Sequence, residues 1–158
     1  MDDKPRPTPN AMTDSEYLDR FNQDFWNTLH NHGLTALSRL QRDALCVLNF
    51  QAEINNGGMH QYFLNSSGDF AGETPAVFRR IGAEEAARIL SEANAFFGQD
   101  GPPADREARM AALLAFPKNL ENRIDELTGE FYRAEDHGLS LADLFNSYVL
   151  SQREAGGS

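Results

Sequence analysis

His60, Ser66, Ser67 and Asp69 lie close together in the chain, and their types are those of a nucleophile with its acid–base partners. His60 could carry a proton, Asp69 could orient it and either serine could attack, provided all fall within hydrogen-bond reach. Nearness in sequence does not supply that geometry. The G-x-S-x-G elbow that exposes a serine is absent, and so is a phosphate-cradling glycine loop of the Walker type. His30 and His32 are two residues apart and would point to different sides of a helix, which makes them a poor metal pair. No metal or cofactor is expected. The commoner use of such residues is structural. Asn55, Asn56, Asn65, Ser66, Ser67 and Asp69 bracket a short apolar turn, where they can cap helix ends and satisfy backbone groups while His60 and Gln61 bridge helices. That reading outweighs catalysis, and the chain is not expected to be an enzyme.

The elements that must position this segment are helices. Thr13-Asp14-Ser15-Glu16 fits a capping box, and Tyr17, Phe21, Phe25 and Leu29 then recur every four residues up to Gly33. A second helix from about Thr35 carries Leu37, Leu40, Ala44, Val47, Leu48 and Ile54 and is expected to end at Asn55-Asn56-Gly57-Gly58. Thr74 reads as the cap of a third, with Pro75 in its first turn. Residues 83–97 have Ala86, Ile89, Leu90, Ala93 and Phe97 at helical spacing. Gly101, Pro102 and Pro103 mark a loop, and Asp105 can cap the next helix. Two more helical stretches cover 120–134 and 140–153. Alternating β-branched runs are missing, so the predicted fold is all-α, a single compact multi-helix domain without significant β-sheet. The expected organisation is a disordered leader over 1–12, a helical domain over 13–153 and a flexible tail over 154–158, with Tyr17, Phe21, Phe25, Leu40, Leu48 and Phe63 as core residues.

The chain has 158 residues, the length of one domain, and 14 Lys and Arg against 24 Asp and Glu, a formal charge of −10. No terminal tail carries the excess: residues 1–58 hold −3, 59–100 hold −3 and 101–158 hold −4. An acidic surface repels nucleic acid and anionic membranes and attracts basic proteins. Direct nucleic-acid binding and membrane association are therefore not expected. The lone Cys46 cannot form an intramolecular disulfide, which fits a reducing compartment, and no apolar run approaches the roughly 20 residues of a membrane span. The expected location is cytoplasmic.

The string Asn55-Asn56-Gly57-Gly58-Met59-His60-Gln61-Tyr62-Phe63-Leu64-Asn65-Ser66-Ser67-Gly68-Asp69, with the later acidic-aromatic stretch Phe131 to Asp136, resembles the bacterial DNA mimic protein family. The resemblance spans about residues 15–152. Asn56, Gly57, Gly58, His60, Gln61, Asn65, Ser66, Gly68 and Asp69 match its signature, while Met59 and Leu64 stand where larger aromatic residues are expected. The resemblance implies a helical fold whose acidic surface imitates duplex DNA and occupies the DNA-binding face of a basic DNA-binding protein. It leaves the signature residues a scaffold role and does not name the partner. A homodimer is among the oligomeric states it leaves open.

The carboxylates have a spacing suited to that imitation. Residues four apart on a helix rise about 6 Å, and two phosphate steps along one strand rise about 6.8 Å. Glu121 with Asp125 and Glu126 with Glu130 are such pairs, and Glu135 with Asp136 extends them; Glu84, Glu85 and Glu92 form a second group around Arg88. Arg123 and Arg133 interrupt the first. These nine carboxylates are the expected partner-binding surface. Two other functions fit the same composition: an immunity-type inhibitor covering a basic toxin or nuclease, and a small enzyme centred on His60 and Asp69.

Overall fold

The computed structural model describes residues 12–156. The leader expected over 1–12 therefore lies almost wholly outside the described residues. Within them the chain forms seven α-helices and two short 3-10 turns, with no strand. The helices are α1 Asp14–His32, α2 Arg39–Leu64, α3 Thr74–Arg80, α4 Glu84–Ala95, α5 Arg106–Leu114, α6 Lys118–Asp136 and α7 Leu141–Gly156. The chain divides into two units, one built from residues up to Arg42 and from Asn146 onward, the other from Asp43–Phe145.

Local chemistry explains most boundaries. The Thr13 hydroxyl accepts from the Glu16 amide (3.2 Å) to start α1, and Gly33 ends it at φ 80, a left-handed conformation costly for any residue with a Cβ. Asp105 accepts from the Ala108 amide (2.9 Å) at α5, and Ser140 accepts from the Asp143 amide (3.2 Å) at α7. In the first unit Phe25 is buried, while Tyr17, Phe21 and Leu40 are half-buried. Arg153 of α7 lies 4.7 Å above the Tyr17 ring and donates to the Met12 carbonyl (2.8 Å).

Four expectations change. Residues 34–36 form a 3-10 turn and Leu37 is extended, so α2 begins at Arg39 rather than near Thr35. The pair Gly57-Gly58 does not end α2 but kinks it: the helix leaves regular geometry at these two residues and resumes to Leu64. Gly58 takes φ 75, and the Met59 amide, released from the helix ladder, donates to the Thr128 hydroxyl (3.1 Å) on α6. Thr74 is the first residue of α3 rather than its cap. It is buried, and its hydroxyl donates to the Phe70 carbonyl (2.8 Å). Leu48 is 43% exposed: it projects about 100° round α2 from Val47 and about 160° from Phe50, away from the face that Val47, Phe50 and Ile54 share.

The core of the second unit is aromatic. The Phe50 ring meets Tyr62, Phe78 and Phe131 edge-on, with centroids 5.0, 5.1 and 5.3 Å away, and all four are buried. Helices α2 and α6 run antiparallel beside this cluster. Gln51 donates to Glu135 (3.4 Å), Tyr132 donates through its hydroxyl to the Ile54 carbonyl and Met59 reaches Thr128, so numbers fall on α6 as they rise on α2. On its other side α6 packs against α4.

Candidate functional site

The segment 55–69 wraps two polar centres that local sequence does not contain. The first is Glu53, one turn before the kink. Its carboxylate accepts from Gln61 (2.9 Å) and Asn65 (3.0 Å) at one oxygen and from the Ser67 hydroxyl (3.1 Å) at the other, strapping the two halves of α2 together. Partial burial pushes the Glu53 carboxyl upward, but the three donors outweigh it and hold the group below the ordinary glutamate value of 4.5. The second centre is Arg109 on α5, fully buried. Its guanidinium donates to the carbonyls of Phe63 (2.6 Å), Asn65 (2.8 Å), Pro103 (2.8 Å) and Ala104 (3.2 Å), and to the Asp69 carboxylate (2.9 Å). Gly68 is confined by this cation: a Cβ there would stand 2.6 Å from the Tyr62 carbonyl oxygen and 2.8 Å from Arg109 Nε.

These bonds occupy the groups that catalysis would need. Asp69 pairs with Arg109 and Ser67 with Glu53, while none of the hydrogen bonds among the described residues joins half-buried His60 to Asp69, Ser66 or Ser67. Asn56 and Ser66 are exposed, and Gly57 lies under the Gln61 side chain. Tyr62 is buried with its hydroxyl 3.3 Å from that of Thr74, and burial raises its phenol well above the usual range.

The carboxylates form a second constellation. Packing of α4 on α6 brings the two acidic groups of the sequence onto one face, joined by two arginines. Arg88 binds Glu85 (2.6 Å) on its own helix and Glu130 (2.7 Å) across on α6, with Glu92 at 3.6 Å. Arg123 of α6 binds Glu92 on α4 (2.7 Å) and its own neighbours Glu126 and Glu130 (both 3.0 Å). The Arg88 bond depresses Glu85, and Arg88 and Arg123 together depress Glu130; both guanidiniums are pushed upward in return. Glu121 pairs with Lys118 (3.3 Å) and Glu135 with Gln51. Glu84, Asp125 and Asp136 are exposed and have no ion-pair or hydrogen-bond partner among the described residues. Of the nine expected surface carboxylates, then, the structure divides a compensated set between α4 and α6 from an uncompensated one. No group of three or more His, Cys, Asp or Glu among the described residues could hold a metal ion.

Sequence reasoning missed Arg109, Glu53 and Thr128. A signal existed for Arg109, which precedes Leu113 by four residues on the buried face of α5, where a solvated arginine would be out of place. Glu53 and Thr128 carry no local signal, since their partners come from beyond a kink and from another helix.

Helical elements, a kinked segment over 55–69 bound by a buried arginine and a carboxylate-rich face define an acidic all-α protein. The family comparison makes this specific. Residues 35–152 match the model of the DMP19-like protein family, and the chain belongs to that family. Comparison with curated proteins and with solved structures gave no match. No helix of the described residues is long and apolar enough to cross a membrane.

Proposed function

We propose that this protein is a DNA mimic that binds the DNA-binding face of a basic protein, such as a transcription factor, and keeps DNA off it. The observation that carries the reading is membership, over residues 35–152, of a family named for a DNA mimic protein. The physical support is electrostatic. A charge of −10 spread along the chain favours encounter with a positive face, and that face is already shaped for a polyanion. Carboxylates on α6 at four-residue spacing approximate the advance of alternate phosphates. Asp69 is paired with Arg109, and Glu53 with Gln61, Asn65 and Ser67, and in this reading the signature segment supports the surface rather than contacting the partner.

The test is capture of partners from a lysate, followed by competition against labelled duplex DNA on the captured protein. The expected partner binds DNA, releases it stoichiometrically as this protein is added, and loses affinity for this protein as salt rises, because solvated charges are screened over about 8 Å at physiological ionic strength. A partner that holds DNA and this protein together, or has no affinity for DNA, overturns the mimic reading. Direct binding of labelled DNA by the purified protein would do so as well.

A further inference from the structure

We propose that α6 carries an arginine-reading surface, in which the exposed face of Tyr132 stacks a partner guanidinium beside the uncompensated carboxylates Asp125 and Asp136; this rests on the basic-partner reading above. At about 100° per residue, α6 faces α4 through Arg123, Glu126 and Glu130 and faces α2 through Thr128, Tyr132 and Glu135. Between those two contact sides runs a stripe of Asp125, Gly129, Tyr132 and Asp136, with exposed Arg133 along its α4 edge. Its rise from first to last is about 16 Å, and Tyr132 stands one helical turn from Asp136 and two from Asp125.

Each position contributes something different. Asp125 and Asp136 are exposed and have no partner within the described chain, in contrast to the carboxylates held by Arg88 and Arg123. Tyr132 is 39% exposed, yet its hydroxyl is spent on the Ile54 carbonyl of α2. The side chain is therefore tethered by its polar end and by the Phe131 ring, 6.4 Å away centroid to centroid, while part of it stays exposed, and little rotamer freedom is lost on binding. Gly129, a turn earlier, has no side chain of its own, and the Arg133 guanidinium reaches back over it, with Nη1 3.3 Å from where a Cβ would stand; a partner guanidinium must therefore approach Tyr132 from the side away from Arg133. A fixed ring flanked by two carboxylates suits a planar, weakly hydrated cation with directional donors. Arginine stacks on aromatic faces and forks onto carboxylates, whereas lysine is a hydrated point charge that gains less from the ring. The surface thus selects arginine-rich faces among basic ones.

The probes are hexa-arginine and hexa-lysine peptides, titrated into the full chain at low salt by calorimetry. Hexa-arginine should bind about two- to five-fold more tightly, the range of an exposed cation–π contact. Y132L should abolish that preference and leave hexa-lysine affinity unchanged, and Y132F should keep a smaller preference, because the ring survives without the hydroxyl that tethers it. D136N should weaken both peptides. In parallel, backbone amide shifts on adding hexa-arginine to the unmodified protein should centre on Tyr132 and Asp136, a readout that needs no variant to fold. Equal affinity for the two peptides, a preference that persists in Y132L, or shifts centred on Arg88 and Arg123 would each overturn the proposal. Equal affinities together with retained displacement of DNA from a captured partner would overturn the arginine surface alone. Failure to displace DNA with the arginine preference intact would fall instead on the mimic function.

Discussion

At the scale of single residues the decisive groups are the two whose charge is turned inward. Arg109 answers four carbonyls and one carboxylate from a fully buried position, so Arg109→Met removes the donor from all five, the buried Phe63 carbonyl among them. The expected loss is about 3–5 kcal/mol, read from chemical denaturation. Gly68→Ala presses a methyl group on the same guanidinium and on the Tyr62 carbonyl, and should cost about 1–3 kcal/mol. Glu53 gives a pH signature. Its folded pKa lies below the ordinary 4.5, so its contribution to stability is complete above that value and is lost as pH falls through the lowered one. Glu53→Gln should therefore be less stable than the parent at pH 7, with the gap in melting temperature closing under acid. A gap that stays constant from pH 7 down to pH 3 would show that the carboxylate charge is not what holds Gln61, Asn65 and Ser67. The density of Asn, Ser and Asp in 55–69 marked this segment out in the sequence, and Asn65, Ser67 and Asp69 there bond Glu53 and Arg109. The groups it serves were not legible, because Arg109 is forty residues away and its relation to Asp69 exists only after folding.

Helices were legible where their own residues end them. Thr13, Asp105 and Ser140 announce α1, α5 and α7, and Gly33 closes α1, since caps satisfy backbone groups within a few residues. The glycine pair in α2 misleads for the opposite reason. Gly57 and Gly58 do free the backbone from helical angles, but whether the chain turns away or resumes depends on a hydroxyl from α6: Thr128 takes the Met59 amide and lets the second half of the helix begin. Gly58→Ala would force a Cβ into the left-handed region and to 3.0 Å from the Thr128 methyl group, so it should destabilise by more than the roughly 1–2 kcal/mol of the backbone conformation alone. Gly57→Ala meets mainly the flexible end of Gln61 and should cost less. Ordering the two by thermal denaturation tests whether the kink is held at Gly58. The core beside it has a plainer measure. Phe50 touches three rings from three other stretches of chain, and Phe50→Ala should cost about 3–5 kcal/mol.

For the whole molecule the question is whether net charge or its placement recruits a partner. A total of −10 does not say which carboxylates are available, and folding divides them: Arg88 and Arg123 hold Glu85, Glu92, Glu126 and Glu130 between α4 and α6, while Asp125 and Asp136 face outward alone. Reversing Glu126 or Glu130 to lysine therefore confounds two effects, since it sets like charges against Arg123 and loosens α4 on α6. A cleaner experiment reverses Asp125 and Asp136 together, where no internal bond is lost. Its control reverses Asp19 and Asp24 on α1, which changes net charge by the same amount in the other unit. Long-range steering follows total charge and should slow association in both variants by similar factors at low salt. Dissociation depends on the groups in contact, so D125K/D136K alone should release the captured partner faster, and that difference should persist at salt concentrations that erase the difference in association. Both variants should keep the helical spectrum and melting temperature of the parent, because exposed positions away from caps and networks usually change stability by less than about 0.5 kcal/mol. Equal dissociation rates in the two variants would mean that the outward stripe of α6 does not touch the partner, and that acidity spread over the chain is sufficient to attract it.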